Sequence, residues 1–134
     1  MDALYPWMHL VGRTLFAIIF AGSGISHFTQ RAGMAQYAAA RGLPAAGVMV
    51  PLSGAWILVD ALFVILGWHR FIGAGMLALF LFPTAFLMHG FWRETDPQAR
   101  MMEQTHFFKD LAMARATLVT AYYAGAPWPT AVQP

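Results

Sequence analysis

Three of the five histidines in this 134-residue chain sit at the ends of apolar runs, where ionisable side chains are otherwise scarce. His27 closes the first run, His89 closes the third, and His106 opens the fourth, followed within a helical turn by Lys109 and Asp110. Trp92 lies just beyond His89. Titratable groups gathered beside an aromatic ring are suited to holding a quinone headgroup, an anion or a metal ion. The same residue types also anchor helix ends in the headgroup layer of a membrane, and both readings stay open. The chain has no cysteine and no tight spacing of ligating residues, so neither a metal nor a haem is expected.

The elements that would position these residues follow from composition. The chain is 59% hydrophobic and 10% charged, with a mean hydropathy of +0.55, whereas a soluble domain carries roughly a quarter charged residues. That is the composition of a membrane protein, with length for a single domain. A net charge of +2 is too small for an electrostatic nucleic-acid partner. Arg13 inside the first apolar run, and the absence of a small-residue cleavage site after it, argue against a cleavable signal peptide.

A helix needs about 20 apolar residues to cross the hydrocarbon, and four stretches approach that length: about 8–28, 44–66, 70–89 and 106–124. The expected fold is an all-α integral membrane protein, an antiparallel up-down bundle of four transmembrane helices in one domain, residues 1–134. Pro44 suits the first turn of the second span, and Pro83 should kink the third. Residues 29–43 read as an interfacial loop with room for a short helix, and 125–134 as a proline-rich tail. The loops after spans one and three carry Arg31, Arg41, Arg93 and Arg100, against Arg70 at the other end. The positive-inside rule then leaves both termini on the periplasmic side. Helix parity brings His27, His89, Trp92, His106, Lys109 and Asp110 to one end of the bundle.

Three charges fall deeper. At about 1.5 Å per residue, Arg13 lies roughly 7 Å and Asp60 roughly 9 Å in from the opposite end. An isolated charge at mid-membrane costs about 2.5 to 3.5 kcal/mol on insertion scales, so an ion pair between Arg13 and Asp60 is expected. Arg115 points away from the face that carries His106, about 13 Å from the helix end. Either the helix turns so that Arg115 joins Asp60, or another protein supplies a partner. Trp128, between Pro127 and Pro129, would be a rigid aromatic anchor for such a partner.

Several motifs resemble the DoxX family of small four-helix bacterial membrane proteins. HGFW at 89–92, the Asp-Pro at 96 and 97, Arg100 and FFKDL at 107–111 follow that family's order and spacing, as do Arg13, GSGISHF at 22–28 and RGLP at 41–44. The chain departs from the family pattern at Asp110 and at Ala114-Arg115, and Asp60 sits about a turn later than the family's acidic residue. The resemblance implies a multi-pass inner-membrane protein serving as an accessory, non-catalytic subunit of a larger complex, often linked to quinone or sulfur redox systems. A self-contained membrane enzyme or carrier using the His27, His89 and Lys109 face, and a membrane chaperone or cargo-binding module, are the alternatives.

Overall fold

The computed structural model describes residues 4–132, all helix and connecting turns. Five helices follow one another: α1 (Tyr5–Thr29), α2 (Arg31–Ala40), α3 (Ala46–Leu66), α4 (Arg70–Met88) and α5 (Pro97–Tyr122), with one 3-10 turn at Phe91–Arg93 before α5. The short helix allowed for in residues 29–43 forms, giving five helices in place of four, and two of the expected spans start elsewhere. The interfacial stretch folds into α2, separated from α1 only by Gln30, whose backbone N–H still bonds Ser26 O. The last helix begins at Pro97, well before His106, because Asp96 caps it: its carboxylate accepts the Ala99 N–H at 2.7 Å, and proline fits the first turn. At the other junction α3 opens at Ala46 rather than Pro44, since Ala45 takes a left-handed conformation with φ 49°.

Two glycines account for the tightest packing. A Cβ on Gly54 would stand 2.6 Å from His27 Cβ and 3.1 Å from Gly24 O, and one on Gly24 would meet Leu58 and Gly54 O. The α1 and α3 backbones therefore touch at this point, the small-residue packing that membrane helices use in place of a hydrophobic drive. Arg13 lies beside Gly67 while His27 lies beside Gly54, so the two helices run in opposite directions. Helices α4 and α5 form a second close pair, joined to the first through α3 and α4. Ala17, Phe20, Ile57, Ala61, Val64, Leu77, Leu81 and Ala114 fill the core between all four long helices. The outer surface is apolar too, with Leu15, Ile18, Leu62, Phe71, Leu79 and Leu118 each at least half exposed, as a lipid-facing surface requires. Three stretches, α1, α3 and Arg70–Arg93, are long and apolar enough to cross a membrane.

Prolines inside α3 and α4 cost backbone hydrogen bonds, and one loss is made good by a side chain. Pro51 has no N–H for Gly47 O. Arg31 donates to that carbonyl instead, from Nε at 3.2 Å and Nη2 at 2.7 Å, which also fastens α2 to the start of α3.

The tail folds back over the opposite end. Arg13 donates to Thr130 O at 2.6 Å, Arg70 donates to Ala126 O at 2.7 Å, and the Val132 N–H donates to Leu66 O at 2.8 Å. The Trp128 ring packs edge-on against His9 and under the Arg70 guanidinium. Gln133 and Pro134, part of the expected tail, lie outside the described residues.

Candidate functional site

A cavity of about 560 Å³ opens at the end of the bundle covered by α2. Its walls are mostly apolar, from Phe20, Met34, Val50, Phe80 and Met113 among others, and its ionisable groups converge from four helices. His27 comes from α1, Tyr37 from α2, His89 from the end of α4, and Lys109 and Asp110 from α5. The His27 Nδ1 donates to Ser23 O at 2.7 Å, so in the neutral ring Nε2 is the acceptor. Asp110 is 4% exposed, with Lys109 Nζ 3.4 Å from one oxygen and His89 Nε2 3.7 Å from the other.

Four of the six candidates thus line the cavity: His27, His89, Lys109 and Asp110. His106 stands behind them, stacked on the His89 ring at 5.1 Å with its Nδ1 3.4 Å from Lys109 Nζ. Trp92 does not join the site. It is half exposed and packs against Phe86, Phe91 and Phe107, because the turn at Gly90 brings its ring so close that a Cβ there would stand 3.2 Å from it.

The sequence reading missed the groups on which this end of the molecule is fastened. Glu103 accepts from His89 Nδ1 at 2.8 Å and Tyr37 OH at 2.8 Å, and pairs with Arg41 at 3.0 Å. Arg41 also pairs with Glu94 at 2.7 Å. Burial disfavours the charge on Glu103, yet the bonds from His89, Tyr37 and Arg41 outweigh it and hold the carboxyl below its ordinary value. Burial first, and the hydrogen bond to Glu103 second, push the Tyr37 hydroxyl up to about 12, so it stays a donor. The signal was present: Asp96-Pro97 is a helix start, and a helix from there puts Glu103, His106 and Asp110 on one face.

The pair expected between Arg13 and Asp60 does not form. The Arg13 guanidinium reaches Gly67 and the tail carbonyls at the helix end, about two turns from Asp60 along α3. A long side chain gains more by reaching polar partners at the membrane surface than by staying deep. Asp60 is fully buried, with neither carboxylate oxygen hydrogen-bonded among the described residues. Arg115 is exposed on the outer surface of α5, so it does not join Asp60 either. Trp128, expected to anchor a partner, packs against His9 and Arg70 of its own chain.

An all-helical bundle with membrane-length helices, small-residue packing and a cavity under a surface helix defines a small multi-pass membrane protein. Residues 8–90 match the DoxX family model, and the chain belongs to that family. Neither the curated proteins nor the solved structures contain a match to the chain.

Proposed function

We propose that this DoxX-family protein is a membrane-embedded binding subunit whose cavity takes an apolar molecule with a polar ring head, the quinone class. The observation that carries the reading is the cavity itself. It is apolar for most of its 560 Å³ and has His27, His89, Lys109 and Asp110 at its polar groups, the arrangement that orients an amphipathic ligand. The family resemblance supplies the remainder: an accessory, non-catalytic role in a larger bacterial inner-membrane complex. In this reading α5 is the fourth crossing. The crossing begins near His106, with Glu103 at the rim; its outward side carries Phe108, Leu118, Val119 and Tyr122 together with Arg115, while Asp110 turns inward, which lowers its average apolarity. The arginine count supports an orientation with the cavity end toward the cytoplasm and both termini in the periplasm.

A titration of the full-length protein in lipid nanodiscs with a short-tailed ubiquinone tests the binding. Saturable binding weakened about tenfold by Asp110→Asn and by His27→Leu is the expected result, each variant losing a hydrogen bond or charge at the polar end. Binding that both variants leave unchanged, or none by the wild type, would remove the reading.

A further inference from the structure

The groups around His89 line up from the cavity to the rim of the bundle, with one gap. His89 Nδ1 meets Glu103 Oε2 at 2.8 Å and His89 Nε2 faces Asp110 Oδ2 at 3.7 Å. Asp110 lines the cavity, and the Glu103 side chain is 14% exposed at the far end. We propose that Asp110, His89 and Glu103 are a proton path joining the cavity to the aqueous face, so that a weakly acidic hydroxyl held in the cavity exchanges its proton with bulk water while the cavity stays covered. This inference rests on the binding function proposed above.

The step balances as a proton transfer alone. The ligand O–H breaks and its proton bonds an Asp110 oxygen. Asp110 passes a proton to His89 Nε2 as the Nδ1 proton moves to Glu103 Oε2, and Glu103 releases one to water. Reverse transfer along the same groups resets the imidazole. No electrons move, and the ligand anion left behind stands near the Lys109 ammonium. The 3.7 Å gap exceeds hydrogen-bond reach, so the path requires Asp110 to turn toward His89 for the transfer. An imidazole whose two nitrogens face two carboxylates is suited to this shuttle, because it can accept at one nitrogen while donating at the other. The neighbouring groups set its charge balance. Lys109 and His106 face His89 from α5, Tyr37 and Arg41 reach Glu103 from α2, Glu94 holds Arg41 from the loop, and His27 stands across the cavity on α1.

The test uses the full chain in nanodiscs and 2-hydroxy-1,4-naphthoquinone, a weakly acidic quinone whose colour reports its ionisation. After a rapid pH jump, the bound probe should change colour roughly tenfold or more slowly in Glu103→Gln and His89→Gln than in wild type, each compared at saturating probe. Added imidazole should restore the rate in His89→Gln, a rescue that a packing defect would not show. Equal rates in wild type and both variants overturn the path. If the probe does not bind the wild type, the binding function fails and the path is read without ligand. The His89 ring N–H that meets Glu103, followed by nitrogen NMR and assigned by its loss in His89→Gln, should then exchange with solvent about tenfold more slowly in Glu103→Gln. Equal exchange overturns the path in that case.

Discussion

Glu103 concentrates the polar contacts at the cavity end on one carboxylate, and its charge state therefore governs how firmly α2 is held. Its carboxyl is kept below the ordinary value of 4.5 in the folded protein, so the folded state binds fewer protons there than the unfolded chain. The stabilisation is complete above that ordinary value and is lost as pH falls through the folded one. Thermal melts in detergent should drop as the pH is taken from 7 toward 4, and Glu103→Gln should flatten that dependence; parallel curves would refute it. Asp60 and Arg13 give a second contrast at this scale. Because Asp60 is buried without a hydrogen bond, Asp60→Ala removes an unsatisfied group and should leave the melting temperature level or higher. Arg13→Ala deletes the donor that holds Thr130 and Pro129 and should lower it. A large loss for Asp60→Ala would show that its carboxyl has a partner.

At the scale of elements, the α1–α3 contact is the most constrained part of the fold. A methyl on Gly54 has nowhere to go, with His27 Cβ at 2.6 Å and the Gly24 carbonyl at 3.1 Å. Gly54→Ala should cost about 1 to 3 kcal/mol, the usual penalty of overpacking, and should weaken quinone binding as well because it displaces His27. Gly75→Ala, where an added Cβ meets nothing within 4 Å, is the control and should be close to neutral. Loss of stability at Gly75 equal to that at Gly54 would mean the contact is not specific.

For the whole molecule, the tail and the outer face of α5 separate into different roles. The tail is bound to its own helices through Arg13, Arg70 and Leu66, so ending the chain at Tyr123 should lower the melting temperature. Arg115 remains exposed on α5, and if α5 crosses as proposed a charge there is costly unless a neighbouring helix offers an acceptor. In pull-downs from mild detergent, Arg115→Leu should release a co-purifying membrane partner that the truncated chain still retains. Retention by Arg115→Leu, or a wild type that purifies alone, would set the accessory-subunit proposal aside.

What the residue order alone determined is the class of protein and the family, because apolar run length and the Arg13, GSGISHF and RGLP segments are local properties that any folded arrangement preserves. Helical parity was enough to bring His27, His89, Lys109 and Asp110 to one end, where they line one cavity. Hydropathy hid the true start of α5, since a helix that turns Glu103, His106 and Asp110 inward looks like a polar loop when averaged along the chain. With the start hidden, Glu103 lost its face and Tyr37 and Arg41 their common target. Only the tertiary structure decided the partner of Arg13. Depth counted along a helix places it level with Asp60, but a guanidinium on a long stem is positioned by what it can reach, and the returning tail put carbonyl oxygens at the membrane end of α1.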